Sequence, residues 1–230
     1  MNIFILGRKY EGKSTLAVHI GLAILKARHA YKLLIFDPKW QLRYFPHTHS
    51  IREFRYLLHV DKSQGVTFFA GAGFDKGKDD TEEVRKDFSE FCEAVEMESH
   101  LRNPPERPLV VILDEVYYLT RGKVHPWLGR MIRLATEGKL YIILAGHRPQ
   151  DLLPDVRGKG DEFFFFQETD YTELRIVAEI AGNDAAEKVK FLDAHHVLRY
   201  VVRSRVTEIW VNPDAWFLPI SERRKEEIAA

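Results

Sequence analysis

One cysteine, no apolar run of membrane-spanning length, no net charge and no internal repeat characterise this chain of 230 residues. Each absence removes a class of function. The single thiol, Cys92, excludes an internal disulfide and a cysteine-based zinc site. It lies beside Val84, Phe88, Phe91 and Val95, whose 4-3-4 spacing marks one face of a helix, so a half-buried structural thiol is expected. No stretch approaches the roughly 20 apolar residues that cross a bilayer, so no membrane insertion is expected. Met1 leads into a strand-like segment without a basic leader, so a cytoplasmic location is expected. Basic and acidic residues number 34 each, so the overall field favours neither nucleic acid nor an anionic membrane, and any contact with nucleic acid must come from local loops.

What is present is an alternation of apolar, strand-length runs with segments of helical period, the pattern of a mostly parallel sheet covered by helices. Strands are expected at 2–6, 32–37, 66–70, 109–114, 140–146 and 162–167, most of them apolar throughout, as strands covered on both faces must be. Helices are expected at 13–29, 51–59, 81–102, 126–137, 171–181 and 184–193. The period then changes to alternation in HVLRYVVR and VTEIWVN, which reads as a β-hairpin. Trp210, Trp216 and Phe217 are expected to cover the sheet edge or a neighbouring subunit. With no linker or shift in composition, one α/β domain over 1–230 is expected: a core at 1–170, C-terminal helices and hairpin at 171–217, and a polar tail at 218–230 that ends in a loose helix.

After the first strand comes GRKYEGKST, residues Gly7, Arg8, Lys9, Tyr10, Glu11, Gly12, Lys13, Ser14 and Thr15. A glycine, four residues and Gly-Lys-Ser, placed between a strand and a helix, is the arrangement that cradles phosphates. The glycines let consecutive N–H groups face the β- and γ-phosphate oxygens, and the following helix adds its N-terminal partial charge. Lys13 supplies a point charge to those phosphates, and the Ser14 hydroxyl is placed to ligate Mg²⁺. A P-loop NTPase using ATP and Mg²⁺ is the reading. The run LVVILDE carries two acids at a strand end: Asp114 is placed to support the metal opposite Ser14, and Glu115 to polarise a water for attack on the γ-phosphate. A phosphate-transferring kinase does not need that second acid, so the pair favours hydrolysis. The alternative is that Glu115 starts a solvated helix.

Three further segments, with these two motifs, resemble the FtsK/HerA superfamily of ring-forming DNA translocases and packaging ATPases over roughly residues 1–160. FDPKWQL looks like the family's D-P-K-G-E segment, which implies Asp37 and Lys39 beside the nucleotide; a proline turn at a strand end is the alternative. AGHRPQDLLPDVR is similar to A-T-Q-R-P-S-D-L: Arg148 and Pro149 match, while His147 stands where a glutamine that senses the γ-phosphate is usual. TRGKVHPWLGRMIRLATEGK looks like the family's pore loop and following helix, and implies an arginine reaching a neighbour's nucleotide, Arg133 first, then Arg130 or Arg148.

The resemblance implies a RecA/ASCE-like P-loop fold, a homo-oligomer in the form of a hexameric ring, double-stranded DNA as partner, and a portal or membrane-associated protein as anchor. The small size is most like that of the genome-packaging ATPases of tailless membrane-containing viruses, which implies the host cytoplasm or the virion. Arg121 and Lys123 would grip the DNA backbone, with Lys76, Lys78, Arg157 and Lys159 at further loop tips, since a ring multiplies a few basic residues into a track. Two other classes stay open. A small-molecule phosphotransferase would use 71–80 as a lid and Arg148 with Arg157 as a clamp, and a nucleotide-dependent assembly factor would turn over little. The histidines, His47 with His49 and His195 with His196, lack the acids or cysteine that would complete a closed metal site.

Overall fold

Strands without polar interruption are stable only between two covering layers, and this chain builds that sandwich. In the computed structural model, which describes residues 1–8, 11–27, 30–60, 64–71, 81–101, 108–120, 123–193, 196–211 and 218–219, the strands are β1 (Asn2–Leu6), β2 (Leu33–Asp37), β3 (His47–Thr48), β4 (Gly65–Phe69), β5 (Leu109–Leu113), β6 (Leu140–Gly146), β7 (Glu162–Phe166), β8 (His196–Val201), β9 (Val206–Val211) and β10 (Leu218–Pro219). The helices are α1 (Lys13–Ala27), α2 (Ile51–Val60), α3 (Thr81–Leu101), α4 (Tyr117–Thr120), α5 (Pro126–Thr136), α6 (Pro154–Arg157), α7 (Tyr171–Ala181) and α8 (Asn183–Lys190), with a 3₁₀ turn at Pro149–Asp151.

One sheet runs in the order β10-β9-β8-β7-β1-β6-β5-β2-β4-β3. From β7 to β3 every pairing is parallel; β7-β8, β8-β9 and β9-β10 are antiparallel. The expected C-terminal hairpin is therefore present as β8 and β9, and it extends the sheet. Register brings Leu6 opposite Gly146 and Phe165, and Leu113 opposite Leu144 and Phe36. The segments that leave β1, β2, β5 and β6 thus emerge side by side, at the carboxyl edge where open α/β sheets carry their sites.

One face of the sheet is covered by α1, whose Leu16, Ala17 and Val18 pack on Ile3, Ile5, Val110 and Ile112. On the other face Phe4, Phe36, Phe68 and Val111 meet Phe54, Phe88 and Phe91 from α2 and α3. Phe163 to Phe166 are each 1% exposed, so both faces of β7 are buried, as its run of phenylalanines requires. Trp210 of β9 meets Phe164 edge to face at 5.3 Å on the face that α1 also covers, while Arg199 ties β8 to Glu162 (2.9 Å) and Glu208 (3.1 Å) on either side.

Several expectations are corrected. Cys92 is fully buried rather than half-buried, because α3 lies with Phe88, Phe91, Cys92 and Val95 all against the sheet; burial pushes its thiol well above the ordinary range. Lys32 does not begin a strand: its buried ammonium donates to the carbonyls of Leu57 (3.0 Å) and Leu58 (3.1 Å) in the last turn of α2, where a cation is favoured. Leu218 and Pro219, at the start of the expected polar tail, form β10 and pair with Val211 and Trp210. Residues 220–230, Trp216, Phe217 and His195 lie outside the described residues.

Candidate active site

The cradle is built by close approach. A Cβ at Gly7 would collide with the Phe166 side chain, so only glycine lets the chain leave β1 beneath β7. Gly12 turns the chain at φ +93, and its carbonyl accepts the first helical hydrogen bond from Leu16 (2.8 Å). Between them Glu11 closes the loop, its Oε2 accepting the Arg8 N–H at 2.6 Å. The Arg8 guanidinium is drawn away to Glu168 (3.0 Å) and Thr169, so Arg8 contributes to the cradle through its backbone: its carbonyl accepts from the Lys13 ammonium. Thr15 continues into α1 and lines the same cavity. Lys9 and Tyr10 lie outside the described residues.

Lys13 is buried, and burial lowers its pKa; Glu115, Glu11 and Asp114 oppose that shift. The Ser14 hydroxyl lies 3.0 and 3.1 Å from the two oxygens of Asp114. Burial, with Glu115 and Asp37 nearby, raises the Asp114 carboxyl to about 7. A hydroxyl and a buried carboxylate held side by side fit a hard, oxygen-seeking ion such as Mg²⁺.

The metal-free chain should show the cost of that burial. A carboxyl raised from 3.8 to about 7 destabilises the fold by about 4 kcal/mol above pH 7; the cost shrinks as pH falls between those values and is gone below the lower one. We expect Asp114→Asn to raise the melting temperature in chelator at pH 8 by at least about 5 °C and to flatten its change between pH 8 and 5. Calorimetry of the two proteins checks this, and a lower melting temperature in the variant would contradict it.

Glu115 does not open a solvated helix. It is 8% exposed and held at φ +52, a conformation that a non-glycine residue keeps only when its surroundings enforce it. One oxygen receives the Lys39 ammonium and the other lies 2.6 Å from His147 Nε2. Burial alone would raise the Glu115 pKa, but the contacts with His147 and Lys39 outweigh it and leave it lowered. Lys39 reaches this point because Asp37, fully buried, accepts the N–H groups of Lys39 (2.8 Å), Gln41 (2.6 Å) and Leu42 (2.7 Å). The proline turn and the approach to the site are thus one structure, in which Asp37 shapes the loop and Lys39 faces the cavity. That cavity, about 540 Å³, is lined by Gly12, Lys13, Ser14, Lys39, Glu115 and His147, with Arg43 and Tyr44 at its margin.

The candidate arginines are not brought to it. Arg133 is 65% exposed along its side chain and pairs with Glu137 one turn on (3.7 Å). Arg130 binds Glu96 (2.7 Å) and lies over the Trp127 ring. Both sit on the outward face of α5, opposite Leu128, Met131 and Leu134. Arg148 is exposed and does not line the cavity. Lys123 is exposed, its carbonyl held by Arg85 (3.0 Å); Arg121, Lys76 and Lys78 lie outside the described residues. Sequence reasoning missed Glu168, whose position at a strand end was the available signal, and Glu173, which receives the Gln150 N–H (3.0 Å) and carried none.

No protein-family model and no curated protein matches the sequence. Solved structures do. The genome packaging NTPase B204 of Sulfolobus turreted icosahedral virus 2, in complex with AMPPCP, is 27% identical with a TM-score of 0.72, over 92% of this chain and 97% of that one. B204 of Sulfolobus turreted icosahedral virus, a DNA-packaging ATPase, is 25% identical with a TM-score of 0.69, over 93% and 97%. The chain has the fold of an FtsK/HerA-type P-loop ATPase. VirB4 of Thermoanaerobacter pseudethanolicus, 9% identical with a TM-score of 0.64 over 90% of this chain and 87% of that one, shares the fold. In this FtsK/HerA-type fold the cradle after β1, the acids after β5 and His147 after β6 occupy adjacent carboxyl ends, which is why one cavity gathers all three.

Proposed function

We propose that the chain is a Mg²⁺-dependent ATPase that works as a ring, hexameric in form, and converts hydrolysis into movement of double-stranded DNA during genome packaging. The observation that carries this is the convergence of Lys13, the Ser14–Asp114 pair and buried Glu115 on one cavity. Lys13 and the loop amides bind the phosphates, Ser14 and Asp114 would hold Mg²⁺, which would supply positive charge to the phosphate oxygens, and Glu115 takes the proton of the attacking water. A carboxylate at that point serves a water rather than a bulky acceptor, so hydrolysis is favoured over phosphotransfer.

DNA as the load is supported by the likeness, over nearly the whole of both chains, to proteins described as genome-packaging NTPases. Arg133 and Arg130, exposed on α5, would exchange Glu137 and Glu96 for a neighbour's nucleotide, and an arginine supplied across an interface contributes roughly 10³ to 10⁵ in rate. The loop carrying Arg121 and Lys123 gives the ring its grip on DNA, and a portal or membrane-associated protein would anchor it. No helix among the described residues is long and apolar enough to cross a membrane.

Phosphate release without any acceptor, measured against the concentration of double-stranded DNA, tests this reading. We expect release to rise severalfold with DNA and the rise to vanish when Arg121 and Lys123 are both alanine. No release without an acceptor would point to a phosphotransferase, and release indifferent to DNA to an assembly factor.

A further inference from the structure

The general base does not stand alone. Glu115 comes from the end of β5, at a strained backbone position, and each of its oxygens is met by a different loop: Lys39 from the turn after β2, His147 from the end of β6. Lys39 and His147 also meet each other, Nζ to Nε2, at 3.3 Å. Among the described residues, Lys39 is the lysine that touches the Glu115 carboxylate, alongside His147, and its side chain is only 14% exposed. Its location is set by a device that has no other evident use. Asp37 is fully buried at a strand end and spends its carboxylate on three backbone N–H groups of the 39–42 turn. Trp40, next in sequence, takes a left-handed backbone (φ 57), donates its indole N–H to the Ala70 carbonyl (3.0 Å) and stacks on Phe69 at 5.6 Å. The turn is thus fastened on both sides of Lys39, and a lysine, ordinarily the most mobile of side chains, is delivered to one point.

We propose that Lys39 is a positioning residue for the ATPase reaction: from a turn fixed by Asp37 and Trp40 it holds Glu115 Oε1, so that the carboxylate faces the attacking water in one orientation. This rests on the reading of Glu115 as general base. A carboxylate has about four acceptor positions, so one oxygen can hold Lys39 and still receive a water. A carboxylate free to rotate would present that lone pair only part of the time, and misplacement by about 1 Å can cost on the order of 100-fold in rate. Lys39 acts on the base, and Lys13 on the phosphates.

This division of labour separates the two lysines experimentally. In the full chain, we expect Lys39→Met to lower kcat by on the order of 10- to 100-fold, with KM for Mg·ATP and the Kd for ADP both within about twofold of the parent. Lys39→Arg keeps a cation at the carboxylate and should recover a large share of kcat, whereas Lys39→Gln, neutral and able to donate, should fall between. Melting temperatures are read alongside, and if Lys39→Met fails to fold, Lys39→Gln carries the comparison. A kcat equal to the parent's would overturn the proposal. So would a rise in KM or a loss of ADP affinity matching the fall in kcat, which would assign Lys39 to the nucleotide. If the parent releases no phosphate from ATP, the ATPase reading itself falls and takes this inference with it.

Discussion

Glu115→Gln should leave ATP bound and slow its hydrolysis by roughly a thousandfold, the middle of the range for losing a positioned general base. The side chain keeps its size, so the cavity walls and the cradle stay in place. What is lost is the ability to take a proton, together with one acceptor: an amide offers a single oxygen where the carboxylate offers two, so Lys39 keeps an acceptor while His147 faces an NH₂ donor in place of an oxygen. Nucleotide binding depends on Lys13, Ser14 and the loop amides, and should change by no more than a few-fold. Single-turnover hydrolysis and a fluorescent-nucleotide titration on the same preparation separate the two effects. Parental kcat in the variant would remove Glu115 from the reaction and leave its strained backbone and its contacts with Lys39 and His147 without a purpose. A parallel loss of binding would show that the carboxylate organises the cradle instead.

Why so much of the architecture is legible in the sequence follows from burial. A strand covered on both faces has no polar position to hide, so β1, β2, β5, β6 and β7 read as continuous apolar runs, and the helices between them keep a 3.6-residue period because only one face is buried. Elements too short to carry a period escape. β3 is two residues, held by the Pro46 carbonyl and Thr67 N–H (2.9 Å), and α4 is a single turn after the strained Glu115. Lys32 misleads for a different reason: its charge is answered by the end of α2, 25 residues away, so nothing local marks it as buried.

The site divides along the same line. The cradle is contiguous, and its spacing is dictated by the geometry of one loop, so seven of its nine residues can be followed directly to their places from Gly7 to Thr15. The carboxyl-end acids are legible because an acid that closes a buried strand has few reasons to be there. The grip on Glu115 is different: Lys39 lies 76 residues before it, and His147 is 108 residues from Lys39, joined only by the order in which β2, β5 and β6 enter the sheet. His147 is visible as a letter, but its meaning as a partner of the base needs the three strands side by side.

Lys13→Ala should abolish the site more completely than any other single change. Lys13 is the cation that the cradle itself contributes, and its buried stem and the Arg8 carbonyl hold it in the loop. Truncating one member of a buried charge pair costs about 2–5 kcal/mol, so ATP and ADP affinity should both fall by roughly 30-fold to several thousandfold, and hydrolysis with them. The fold should survive. Burial already lowers the Lys13 pKa against the pull of Glu115, Glu11 and Asp114, so the ammonium is poorly solvated without phosphate and its removal takes little stability away. Thermal melting distinguishes these consequences in one experiment. Nucleotide at about 100 times the parental Kd stabilises the parent by about 2.7 kcal/mol, and the variant, melting near the parent's ligand-free temperature, should gain almost nothing. A variant that melts normally yet is stabilised by ATP as strongly as the parent, and hydrolyses it, would show that the phosphates bind elsewhere. The cavity shared by Lys13, Ser14 and Glu115 would then have no part in the chemistry.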